Sequence, residues 1–134
     1  MGWDDLEPPA PRQLGPITRT DVVRYQGASG DFNPVHHDEP FATAAGFPAP
    51  LVVGMFPAGA LFAWASDWLG PSHVRRVRCR WRDPVFPGDV LTLSGTIVRT
   101  YQEDGERKVD LELECKKDGG GIAVLGWATF VIPD

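Results

Sequence analysis

Asp31, Asn33 and His36 bring a carboxylate, an amide and an imidazole within six residues of one another. They lie in the stretch Tyr25-Gln26-Gly27-Ala28-Ser29-Gly30-Asp31-Phe32-Asn33-Pro34-Val35-His36. Asn33 precedes a proline, which pushes it out of the helical region of backbone space. Gly30 is free to adopt a left-handed conformation, and Asp31 and Asn33 are turn formers whose side chains bond to nearby main chain. The stretch is therefore predicted to be a fixed, non-helical turn that aims Asp31 and His36 at a common point. A carboxylate and an imidazole converging there can activate a water by general acid–base chemistry.

The elements that must hold this turn follow from composition and patterning. With 134 residues, 43% of them hydrophobic, the chain has the size of one domain, 1–134, and enough apolar material for a core. A net charge of -5 and a pI near 5.1 argue against a nucleic-acid partner. No apolar run is long enough to span a bilayer. The acidic start Met1-Gly2-Trp3-Asp4-Asp5 lacks a secretory pattern, so a cytoplasmic location is expected. Residues 1–16, rich in proline, read as an extended arm ending in an edge strand. Thr18 with Asp21 forms a helix-start pattern, and Val22 to Gln26 fit a short helix that stops at Gly27 to Gly30. Asp38 is suited to cap a second short helix with Pro40 in its first turn and Gly46 at its end.

Gly54 to Leu69 is apolar on nearly every side, and its first charge is Asp67. Such a helix is expected to be buried. Pro57 is tolerated only near its start, which puts the N-terminus at Gly54, and Gly70-Pro71 closes it. Beyond this point the pattern has period two. Val77, Cys79 and Trp81 oppose Arg76, Arg78, Arg80 and Arg82, and Val109, Leu111, Leu113 and Cys115 alternate with charged residues. Residues 90–101 and 122–132 complete a set of consecutive antiparallel strands. The fold class read from this order is α+β, an antiparallel sheet covering one long helix. Four or five strands would leave that helix partly uncovered, so dimerisation is expected.

Several segments together resemble the signature of MaoC-type (R)-specific enoyl hydratases and 3-hydroxyacyl dehydratases, a family with the hot-dog fold. They are Tyr25, Ser29-Gly30-Asp31, Asn33-Pro34-Val35-His36, Ala42, Ala45-Gly46-Phe47, Val53-Gly54-Met55 and Asp83-Pro84-Val85-Phe86-Pro87-Gly88-Asp89, and the likeness covers residues 12–132. The resemblance implies a sheet curled around the central helix and reversible syn addition of water to a trans-2-enoyl thioester, giving a 3R-hydroxyacyl product. The carrier would be coenzyme A or acyl carrier protein, with no other cofactor. By resemblance Asp31 and His36 activate the water, while Asn33, Ser29 and Gly30 support the loop. The backbone N–H of Gly54 would hold the thioester carbonyl, and Phe41, Phe47, Val53, Met55 and Phe56 would contact the acyl group. A helix N-terminus suits that carbonyl on physical grounds as well, since it offers unpaired N–H groups and partial positive charge. Many members carry a histidine where this chain has Val53, a departure that bears on pocket polarity and substrate fit.

The same residues admit other readings. His36, His37 and Asp38 do not make a convergent metal set, because adjacent histidines diverge and the only other histidine is His73. Cys79 and Cys115 read as buried free thiols, and most of the arginines from Arg76 to Arg82 as a solvated strand face. A hot-dog thioesterase would need a carboxylate on the central helix, and Asp67 stands near its wrong end. A homodimer is expected, or a heteromer with another hot-dog subunit. Ser66-Asp67-Trp68-Leu69-Gly70-Pro71-Ser72 resembles small subunits of mycolate-type dehydratases and steroid side-chain hydratases. In heteromers of the family only one chain keeps the acid–imidazole pair, which this chain has, so it would be the catalytic member and not a non-catalytic acyl-binding subunit.

Overall fold

A computed structural model describes residues 2–132. The strands are β1 (Arg12–Leu14), β2 (Val74–Trp81), β3 (Leu91–Glu103), β4 (Glu106–Lys117) and β5 (Ile122–Val131), and the helices are α1 (Arg19–Ser29), α2 (Glu39–Ala44) and α3 (Met55–Leu69). The strands form one sheet in the order β1-β3-β4-β5-β2, antiparallel at every pairing. Helix α3 packs against β2, β3, β4 and β5. This is the α+β hot-dog arrangement, and the N-terminal arm reaches it through β1, which pairs with β3 at the sheet edge. Within that arm, Trp3–Asp5 forms a single 3-10 turn instead of extended chain.

The core lies between α3 and the sheet. Leu61, Trp64, Leu93, Leu111, Val124 and Phe130 are each at most 2% exposed. Two glycines let the helix approach. A Cβ on Gly95 would come within 2.8 Å of Trp64 Cζ3, and one on Gly126 within 3.3 Å of Leu61 Cδ2. Only one face of α3 is buried, however: Pro57, Ala58, Leu61, Trp64, Ala65 and Leu69. Met55, Gly59, Ala63 and Asp67 form an exposed stripe, the part of the helix that a sheet of four or five strands was expected to leave uncovered. Its cause is the size of the sheet, which covers one side of the helix and no more. Asp67 pairs with Arg12 of the arm at 2.9 Å.

Helix α1 also departs from expectation. It runs through Gly27 to Ser29, and Pro34–His36 is a 3-10 turn, so most of the stretch from Tyr25 to His36 is helical rather than excluded from helix. Thr18 and Asp21 form a complete capping box, and the helix ends only at Gly30, whose φ of 77° lets its N–H reach the Gln26 carbonyl. Gly27 lies inside the helix and is tolerated there.

Candidate active site

The turn after α1 is held by its own side chains. The N–H of Asp31 donates to Ser29 Oγ at 3.3 Å, the N–H of Asn33 to Asp31 Oδ1 at 3.2 Å, and the N–H of Val35 to Asn33 Oδ1 at 3.1 Å. Asn33 has φ -56° and ψ 125°, the extended setting its proline neighbour requires, and it caps the 3-10 turn that carries His36. Ser29, Gly30 and Asn33 thus all shape the loop. Beneath it, the buried Gln26 side chain donates from Nε2 to the Asp31 carbonyl at 3.0 Å.

These bonds set one contact that matters for chemistry. His36 Nε2 faces Asp31 Oδ2 at 3.9 Å, with the imidazole 10% exposed and the carboxylate 46%. The other ring nitrogen, Nδ1, lies 2.7 Å from the Leu51 carbonyl. A carbonyl only accepts, so Nδ1 carries the hydrogen, and in the neutral ring the lone pair sits on Nε2. Leu51 is itself fixed, since its N–H donates to the Val35 carbonyl at 3.2 Å. His37 is exposed, and its Nδ1 lies 3.3 Å from Gln26 Nε2.

The N-terminus of α3 meets the same space. His36, Phe47, Gly54, Pro57, Trp81 and Val85 line one cavity of about 330 Å³. The Gly54 N–H has no acceptor among the described residues, and the Gly54 carbonyl accepts from Trp81 Nε1–H at 2.7 Å. The Val85 carbonyl accepts from the Val52 N–H at 2.7 Å, holding the Asp83–Asp89 segment over the approach to the helix. Of the five residues expected to contact an acyl group, Phe47 alone lines this cavity. Val53 is 3% exposed, packed inside the chain, while Phe41 and Met55 are each 48% exposed at the surface. Phe56 stacks edge-on against Tyr25 with centroids 5.4 Å apart.

Gln26 and Trp81 are the site-shaping residues that sequence reasoning did not single out. Gln26 carried one legible signal: it sits four residues after Val22, on the buried face of α1. Trp81 carried none, because it reaches Gly54 from 27 residues away.

Elsewhere the ionisable groups are used structurally. Burial pushes the Asp110 carboxyl up, but donors on Thr129, Arg99 and Tyr101 more than offset this and leave it below its ordinary value. Burial pushes the Cys115 thiol up to about 12. His73 is occupied at the end of α3, donating from Nδ1 to the Leu69 carbonyl at 2.7 Å. Among the described residues no cluster of His, Cys, Asp or Glu could hold a metal ion, and no helix is long and apolar enough to cross a membrane.

Comparison with known proteins places the chain among relatives. The family model described as "MaoC like domain" matches residues 6–118. A mitochondrial 3-hydroxyacyl-(acyl-carrier-protein) dehydratase of Solanum lycopersicum is 31% identical over 124 residues, covering 91% of this chain and 74% of its own. The (R)-specific enoyl-CoA hydratase of Rhodospirillum rubrum is 28% identical over 119 residues, covering 87% of this chain and 81% of that protein. The solved structure of an (R)-hydratase from A. caviae involved in PHA biosynthesis superposes with a TM-score of 0.80 at 26% identity, covering 96% of this chain and 98% of that one. Other relatives are far longer: the chain spans 6% of the fatty acid synthase subunit beta of Saccharomyces cerevisiae, with 34% identity over 118 residues, and 29% of the 3-hydroxyacyl-thioester dehydratase Y of Mycobacterium tuberculosis.

Proposed function

The chain belongs to the MaoC-like domain family, and from that premise we propose that it is a hydro-lyase adding water reversibly to trans-2-enoyl thioesters to give 3R-hydroxyacyl thioesters. The single observation that carries this reading is that His36 and Gly54 line one cavity, with Asp31 beside the imidazole. A water and a thioester carbonyl can therefore be gripped from opposite ends of one substrate.

The 3.9 Å between Nε2 and Oδ2 exceeds a direct hydrogen bond, and a water about 2.8 Å from each atom bridges the pair. His36 Nε2, which carries the lone pair of the neutral ring because Nδ1 donates to the Leu51 carbonyl, takes a proton as the water oxygen bonds to C3. Asp31 accepts the water's other O–H and orients it. The C2–C3 double bond opens toward the carbonyl, and negative charge gathers on the thioester oxygen. The Gly54 N–H donates to that oxygen, an aid worth about 3 kcal/mol when well aimed. The imidazolium then returns its proton to C2, so water adds across one face and no group is left altered.

Coenzyme A or acyl carrier protein would carry the acyl group. A hot-dog thioesterase is the weaker alternative, since Asp67 is tied to Arg12 at 2.9 Å and lies outside the cavity lining. The unpaired edge of β2 and the exposed stripe of α3 call for a second subunit, a copy of this chain or another hot-dog chain. The reaction is tested by incubating purified protein with trans-2-butenoyl-, octenoyl- and steroid-enoyl-CoA. Loss of the conjugated-enoyl absorbance with formation of the 3R alcohol is expected, whereas release of free thiol would favour the thioesterase.

A further inference from the structure

Gln26 is a polar side chain only 3% exposed, and a buried amide has its hydrogens bonded. Its Nε2 carries two. One is donated to the Asp31 carbonyl at 3.0 Å, and the other faces His37 Nδ1 at 3.3 Å. The Asp31 carbonyl only accepts, which orients the amide with its nitrogen toward the turn. His37 Nδ1 must then accept as well, so the neutral ring carries its hydrogen on Nε2. His36 is arranged the other way round, with its hydrogen on Nδ1 and donated to the Leu51 carbonyl at 2.7 Å.

The two contacts of Gln26 fall at opposite ends of one segment. Asp31 opens it, and His37 ends the 3-10 turn that carries His36, its own N–H donating to the Pro34 carbonyl at 3.1 Å. One nitrogen on the buried face of α1 therefore ties both ends of the stretch that holds the carboxylate and the imidazole. Leu51 holds the same stretch through His36. Together these anchors set the 3.9 Å between His36 Nε2 and Asp31 Oδ2. The charges next to His37 in the chain are committed elsewhere: Asp38 accepts from the Phe41 N–H at 3.2 Å, and Glu39 pairs with Arg19 of α1 at 2.5 Å. Among the described residues no carboxylate forms an ion pair with His37.

We propose that His37 is a positioning residue for the hydration, its Nδ1 lone pair closing a clamp through Gln26 that holds Asp31 and His36 at their working separation. Without that acceptor, Gln26 keeps one anchor and a buried N–H with no partner. The end of the turn beside His36 is then free to shift, and a displacement of about 1 Å is enough to slow a reaction. The inference rests on reading Asp31 and His36 as the pair that activates water.

Two substitutions separate the acceptor from the ring. His37→Phe keeps a ring and removes the lone pair, whereas His37→Asn places a carbonyl oxygen where Nδ1 stands. The side chain is exposed, so both variants should fold, as melts would confirm. On trans-2-enoyl-CoA, His37→Phe should lower kcat about tenfold with KM within about twofold, and His37→Asn should keep most of the wild-type rate. Added to Gln26→Leu, His37→Phe should cost nothing further, because the two act through one contact. Wild-type kcat in His37→Phe, an equal loss in His37→Asn, or losses that multiply with Gln26→Leu would overturn the proposal. Hydrogen exchange of the Gln26 side-chain amide, read by NMR, reports on the clamp without turnover. It should be about tenfold slower in wild type and His37→Asn than in His37→Phe, and equal exchange in all three would overturn the clamp. Slow exchange in a wild-type protein that hydrates no enoyl-CoA would instead overturn the reading of the reaction, and with it the role of His37.

Discussion

Replacing Gly54 by alanine adds one methyl where α3, Trp81 and the cavity meet. Gly54 has φ -57° and ψ -34°, helical values that alanine accepts, so the backbone is not strained and intrinsic preference favours the substitution. The new Cβ would lie 3.0 Å from Trp81 Nε1 and 3.4 Å from Cδ1 and Cε2. The indole is 49% exposed and can retreat, at the expense of its 2.7 Å bond to the Gly54 carbonyl. Losing that bond costs about 1 kcal/mol, partly offset by the helix preference, so the melting transition should move little. The rate should not be spared, because the methyl and the displaced ring crowd the wall against which a thioester must lie to meet the Gly54 N–H. Loss of one well-aimed donor costs about 3 kcal/mol of barrier, roughly a hundredfold in kcat/KM. The assay pairs thermal melts with initial rates on trans-2-enoyl-CoA. Adding Trp81→Phe, which shortens the ring edge, should recover part of the rate. A Gly54→Ala protein with wild-type kcat/KM would refute the assignment of the carbonyl grip to this helix end, and a collapsed fold would refute relief of the clash by Trp81.

Four further outcomes are expected. Gln26→Leu removes the donor to the Asp31 carbonyl and should lower kcat by about ten- to a hundredfold through misplacement of the turn, with KM changed less. Gly95→Ala drives a methyl to 2.6 Å from Leu113 Cδ2 and 2.8 Å from Trp64 Cζ3, and should cost about 1–3 kcal/mol in chemical denaturation. Asp110 has a lowered folded-state pKa, so its stabilisation is present above the unfolded value of about 3.9 and is lost as pH falls through the folded one. Asp110→Asn should therefore destabilise the protein at neutral pH, and the difference from wild type should shrink in melts below about pH 4. Cys115, fully buried and pushed up to about 12, should resist iodoacetamide in the native protein and label only after denaturation, as read by mass spectrometry.

Much of this architecture is legible in the chain because local physics and tertiary packing agree there. Pro57 so near Gly54 admits only a helix start, and the alternation Val109, Leu111, Leu113, Cys115 admits only a half-buried strand. The turn from Ser29 to His36 is written in its glycine, its Asx residues and its proline. Where the reading fails, long-range partners decide. Gly27 reads as a stop, yet α1 continues until a left-handed Gly30 closes it. Trp81 looks like one more inward residue of a strand, and only the fold brings its indole N–H to the Gly54 carbonyl.

The account turns on Asp31 and His36 acting together on one water within reach of the Gly54 N–H. Its most direct test is the hydration rate of a trans-2-enoyl-CoA measured for wild type, Asp31→Asn, His36→Ala and the double variant, with melts confirming the fold. Wild type should form the 3R alcohol. Each single variant should lose about three orders of magnitude in kcat, and the double variant little more, as groups acting as a unit do. Wild-type rates in both single variants, or losses in the two that simply multiply, would contradict it.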